Sequence, residues 1–199
     1  SDPQENIIDS ISFSNIPTDM SFGRQLESDF WSLFAEPTPL STNNNPGFLG
    51  ALEKPLFSLN SGFYSNDQSL SIISESQIAE IRYTIDGTVP KGNSLLYSSP
   101  IPLSETKVIR ARAFATGWFK SRVESKTYLF DQSSTEGLPT IFLTTDPNNF
   151  FDNDSGIYAM GDNASDNFPY FGANFWEDWE RPVHFEILEN DNSRYSANG

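Results

Sequence analysis

Between Glu80 and Ser121 the chain alternates. Ile81, Tyr83 and Ile85 alternate with Arg82 and Thr84, the period of a strand with one buried face. Asp86-Gly87 follows at once, and glycine takes the positive φ that a tight hairpin turn needs. Ser99-Pro100-Ile101-Pro102 then breaks the ladder, because two prolines remove two backbone donors. Val108, Arg110, Arg112 and Phe114 alternate with Ile109, Ala111, Ala113 and Ala115, a second long strand with a small-residue face. The pattern predicts a mainly β chain whose centre, residues 48–131, is an antiparallel two-sheet sandwich. Its strands are expected at Leu56–Leu59, Gln68–Ser74, Glu80–Ile85, Leu95–Tyr97, Thr106–Phe114 and Ser121–Phe130, with Ile81, Tyr83, Ile85 and Phe114 inward. Tyr64, Tyr83, Tyr97 and Tyr128 are expected to fill the core and send their hydroxyls to backbone at its rim.

The flanks read differently. Residues 1–47 hold one candidate strand, IIDSISF, then an aromatic-rich stretch with Phe22, Phe30, Trp31 and Phe34, and a linker around Asn43-Asn44-Asn45-Pro46-Gly47. Residues 132–137 read as a short polar linker. LPTIFLTTD is then a compact apolar strand, and an Asn-, Asp-, Phe- and Trp-rich run leads to a last strand in which Val183, Phe185 and Ile187 alternate with His184, Glu186 and Leu188. A strand pair such as LPTIFLTTD and RPVHFEIL buries too little apolar surface to stand alone. Phe142, Phe150, Phe151, Phe168, Phe171, Phe175 and Trp176 are therefore expected to pack on the sandwich or on a partner.

Composition narrows the function. A net charge of −15 with no basic patch disfavours nucleic acid and anionic membrane surfaces as partners. Absence of cysteine removes disulfides, thiolate catalysis and cysteine–zinc sites, and a single histidine, His184, removes multi-histidine metal sites. No apolar run is long enough to span a bilayer. The chain starts at Ser1 without a methionine, which reads as a processed N-terminus or, preferably, as a fragment of a longer protein.

Three resemblances follow from particular residues. IRYTIDGTVP, SSPIPL and VIRARAF, followed by Gly117 and Ser121, resemble the bacterial Ig/fibronectin-III-like module at the C-terminus of chitobiases and hexosaminidases. That resemblance runs from about Pro55 to Phe130 and implies an accessory sandwich without catalytic residues. IIDSISF, TDMSFGR, WSLF and PTP are similar to the closing hairpin and exit of a lamin-tail-type sandwich. LPTIFLTTDPNNFFDNDSGIY and then NFWEDWERPVHFEI resemble the opening of a CotH-type domain, from the spore-coat-protein-H family of atypical, secreted kinase-like proteins. The order of the three is similar to that in Bacteroidota surface proteins. It implies a lamin-tail remnant and linker at 1–47, the sandwich at 48–131, and a linker with a truncated CotH-like start at 132–199.

The CotH resemblance implies phosphoryl transfer from Mg-ATP in the parent protein, which needs a basic phosphate ligand, a metal-holding Asp and a catalytic Asp. In that family these lie downstream of the WERPVHFE strand, so no catalytic residue is assigned here, and no Walker-type loop is present. Asp152, Asn153 and Asp154, before Ser155 and Gly156, are the one metal candidate, with oxygen ligands spaced to wrap Ca²⁺. The plainer reading is an Asx-rich turn bonded to its own backbone. Glu177, Asp178 and Glu180 offer neighbouring carboxylates, but the plainer reading pairs one with Arg181. His184 reads as a half-exposed strand residue, and Trp118 with Phe119 as a candidate aromatic binding patch. The expectation is a non-catalytic spacer of a secreted, multidomain bacterial surface protein. Its partners would be other domains of the parent, a surface or secretion-system protein, or a glycan. The alternatives are a carbohydrate-binding or adhesive module, and part of an active ATP-dependent kinase with its catalytic residues downstream.

Overall fold

A computed structural model describes residues 10–13, 16–26, 30–130, 138–191 and 193–198. The expected linker at 132–137 and the first three residues of IIDSISF lie outside these; residues 10–13 form no strand. The chain divides into two units, residues 1–52 with 115–120, and residues 53–114 with 121–199. This division cuts across the three segments expected from composition. Among the described residues no helix is long and apolar enough to cross a membrane.

In the first unit, β1 (Ser21–Arg24) and β2 (Trp31–Phe34) form an antiparallel hairpin. Leu33 and Phe34 are buried, and Leu33 exchanges two 2.8 Å backbone hydrogen bonds with Phe48. The stretch after Phe48 then runs beside residues 117–119: Leu49 N donates to Gly117 O, Phe119 N to Gly50 O, and Leu52 N to Phe119 O.

The second unit opens with β3 (Leu56–Phe57), β4 (Gly62–Tyr64), β5 (Gln68–Leu70), β6 (Ile72–Ile73), β7 (Glu80–Thr84), β8 (Leu95–Leu96), β9 (Ile101–Leu103), β10 (Lys107–Phe114) and β11 (Glu124–Phe130). One sheet runs β4-β11-β10-β7-β8, and the pairs β3–β6 and β5–β9 supply the other layer. Every pairing is antiparallel except β4 with β11. This is a mainly β, Ig-like sandwich. Leu70, Ile72, Ile101 and Leu103 from the short pairs meet Ile81, Ile109, Ala111, Tyr128 and Phe130 from the large sheet in one core. Tyr64, Tyr83 and Tyr97 pack against its edge. Three of the four tyrosine hydroxyls reach backbone as rim groups: Tyr128 donates to Leu59 O, Tyr64 to Asn60 O, and Tyr97 accepts from Ile72 N. Burial drives the Tyr128 phenol well above the ordinary tyrosine range.

Four local expectations are corrected. Phe114 lies opposite Glu80, on the face away from Ile81, whereas Ala111 lies opposite Tyr83 and Ala113 opposite Ile81. The inward face of β10 is therefore Ile109, Ala111 and Ala113, all fully buried. Small side chains there leave room for the tyrosine rings between two layers about 10 Å apart. Ile85 falls past the end of β7 and is 45% exposed. Pro102 does not end a strand; it sits inside β9, whose one neighbour is β5, an edge position that tolerates a missing donor. Asp86-Gly87 opens a long β7–β8 connection, not a two-residue hairpin. There Asp86 Oδ1 accepts from Thr88 N and Thr88 Oγ1, and these bonds hold its carboxyl below the usual range. Gly87 at φ +83° still performs the expected reversal.

The same unit ends in a three-stranded meander, β12 (Thr140–Thr144), β13 (His184–Leu188) and β14 (Arg194–Asn198). A long excursion between β12 and β13 carries one helical turn, Asn148–Phe151, and one 3-10 turn, Asn174–Trp176. Phe142, Thr144, His184 and Glu186 share one face and are buried. The other face carries Ile141, Leu143 and Tyr195, exposed, with Phe185 and Ile187 half-buried. His184 is thus buried, not half-exposed, with Nδ1 2.9 Å from Asn198 Oδ1. Of the aromatics expected to pack on the sandwich or on a partner, the sandwich takes few. Phe142 is buried, but Phe151, Phe168, Phe171, Phe175 and Trp176 are exposed. The polar face of the meander is the covered one.

Candidate functional site

Glu186 explains that inversion. Its side chain is only 3% exposed, and both carboxylate oxygens are bonded across to the sandwich. Oε1 meets Lys126 Nζ at 2.9 Å, and Oε2 accepts from Ser61 Oγ at 2.5 Å. Ser61 Oγ in turn accepts from Thr127 N, and Ser61 O accepts from Arg194 Nη2. Lys126 also lies 3.6 Å from Glu124, which pairs with Lys54. A buried charge is tolerated when paired and hydrogen-bonded, and alternating Lys54–Glu124–Lys126–Glu186 meets that condition.

A second junction lies at the β7–β8 connection. Asp146 Oδ2 accepts from Val89 N at 2.9 Å. Arg110, buried in the sandwich, donates to Gly87 O and Ser125 Oγ. Burial lowers its pKa, and the field of Asp146 opposes that shift. Between the sandwich edge and the meander is a cavity of about 370 Å³, with Phe63, Tyr64, Thr140, Leu188, Glu189 and Arg194 among its walls. Burial raises the Tyr64 phenol; Arg194 counters this and Glu186 adds to it.

The candidate ligand residues lie elsewhere. Asp152 Oδ1 accepts from Asp154 N, Ser155 N and Ser155 Oγ, an Asx-type turn. Those bonds hold its carboxyl below the usual range. Asn153 Nδ2 turns away to Asp162 Oδ1. Among the described residues no group of three or more His, Cys, Asp or Glu is gathered to hold a metal ion. Glu177, Asp178 and Glu180 are all exposed. Arg181 does not enter the strand on a carboxylate; it donates to Ser155 O and Glu180 O and lies 4.9 Å over the Trp179 ring. Trp118 and Phe119 are half-buried within the first unit, Phe119 edge-on to Phe48 and Trp118 against Gly50. They are packing residues for the 48–52 stretch, not an open patch.

That Glu186 meets Lys126 and Ser61, and that Asp146 meets Val89, escaped the reading of the sequence. One signal was present: Lys126 falls in phase with Tyr128 and Phe130, and a charge in phase with core residues calls for a buried partner.

Fold and junction together define an Ig-like sandwich to which the meander is tied through buried polar contacts. Residues 59–125 match the chitobiase/beta-hexosaminidase C-terminal domain family. The match lies within the sandwich and gives no support to the lamin-tail or CotH resemblances or to a bacterial origin. No curated protein and no solved structure matches the chain.

Proposed function

We propose that this chain is a non-catalytic accessory region of a larger extracellular protein, in which the sandwich carries the C-terminal meander as a fixed support. The observation behind this reading is the Glu186–Lys126–Ser61 junction. It spends buried charge on orientation, which an apolar contact of equal area would not specify. The family match fits such a role, since chitobiase C-terminal domains occur in extracellular glycosidases. A carbohydrate-linked parent is the substrate class this supports. The resemblance of residues 138–187 to a CotH-type opening supports a second parent, an ATP-dependent kinase whose phosphate and metal ligands belong to other sequence. The test is turnover by the purified chain on ATP and on p-nitrophenyl N-acetylglucosaminide. No turnover above buffer is expected. Activity that survives repurification and is lost in a variant of Glu186 or Glu124 overturns the accessory reading.

A further inference from the structure

The excursion between β12 and β13 holds its aromatic rings outward on a rigid frame. Asn174, buried, donates through Nδ2 to Asn153 O and Gly156 O. Gly161 and Gly172 take positive φ where a Cβ would strike Asn174 and the Asn163 backbone. On this frame Phe171 and Phe175 lie 5.5 and 6.0 Å from Trp176. Trp176 Nε1 donates to Pro169 O, which joins them to Phe168 and Tyr170. Phe168 is 86% exposed, Phe171 65% and Trp176 54%. Contiguous apolar rings in water mark an interaction surface, and a pre-ordered one loses little entropy on binding.

Charge and ring geometry select the occupant. Between residues 150 and 180 there are seven Asp and Glu and no Lys or Arg, and all seven carboxylates are exposed. That repels nucleic acid, anionic glycans and a second copy of a chain carrying −15. The rings are tilted by 37° to 87° to one another, so they offer no coplanar strip for successive pyranose rings. Elsewhere on the same excursion a cation already stacks on a ring: the Arg181 guanidinium lies over Trp179. We propose that this surface docks a basic polypeptide segment in which arginines alternate with apolar anchors, the apolar side chains between the rings and the guanidinium groups against the carboxylate rim. The proposal rests on the accessory reading for its biological place, but its test is independent of the Lys126–Glu186 junction.

The probe is a fluorescein-labelled peptide, (Arg-Gly-Leu-Gly)3, followed by anisotropy against the full chain. Saturable binding is expected, weakened at least tenfold by Phe171→Ser and also by exchanging the Leu or the Arg of the peptide for Gly or Glu. Phe168→Ser is the second variant; both sites are so exposed that circular dichroism and Tm should not move. Amide shifts induced by the peptide should fall within residues 150–180. Binding unchanged within twofold in both variants, equal binding of the Glu peptide, displacement by cellohexaose, or shifts confined to other residues each overturn the proposal.

Discussion

At the residue scale, the buried ion pair is the most informative group. Lys126 and Glu186 are each nearly out of solvent, at 11% and 3% side-chain exposure. Removing one partner leaves the other charge buried. Lys126→Met is therefore expected to cost about 3–5 kcal/mol in denaturant unfolding. The double variant Lys126→Met/Glu186→Leu should cost less than Lys126→Met alone, the coupling signature of a double-mutant cycle. Additive costs would show that the two side chains do not interact. Asp152 gives a pH test. Ser155 lowers its carboxyl pKa, so the turn is fully held above the ordinary Asp value of about 3.9 and lost as pH falls through the lower folded value. The Ser155 amide shift should titrate with a midpoint below about 3.9; a midpoint at or above it contradicts the turn.

At the element scale, period was legible and orientation was not. Alternation over Ile81–Thr84 and Ile109–Ala113 located β7 and β10 within a residue or two of their ends. Alternation says only that every second residue shares a face; which face is covered depends on what lies across it. Phe114 is larger than Ala113, yet the register with Ile81 buries the alanine. In β13 the apolar set Phe185 and Ile187 is likewise the outer one, because Glu186 has Lys126 to reach. Short strands with a single neighbour, such as Gly62–Tyr64 and Ile101–Leu103, carry too few residues to show a period. The two kinds of leucine are separable by mutation. Leu103→Ala, in the fully buried core, should cost about 2–5 kcal/mol. Leu143→Thr, at a position 67% exposed, should stay within about 0.5 kcal/mol in the same assay.

At the scale of the whole molecule, the sandwich and the meander fall in one unit, although a polar linker at 132–137 suggested a boundary. Linker composition reports on the connecting peptide and is blind to contacts such as Asp146 with Val89, which lie far apart in sequence. The expected consequence is shared cooperativity. Amide exchange in β12 and β13 should be as slow as in β10 and β11 and should accelerate selectively in Lys126→Met. Fast exchange in the meander of the unaltered chain would instead make it an independently opening element. The parallel pairing of β4 with β11 bears on mechanics. Those neighbours point the same way, and Gly62, Phe63 and Tyr64 lie beside Tyr128, Leu129 and Phe130. Tension applied ahead of β4 and behind β11 pulls the pair in opposite directions along the strand axis. Their hydrogen bonds then carry the load together in shear, where a hairpin would unzip one bond at a time.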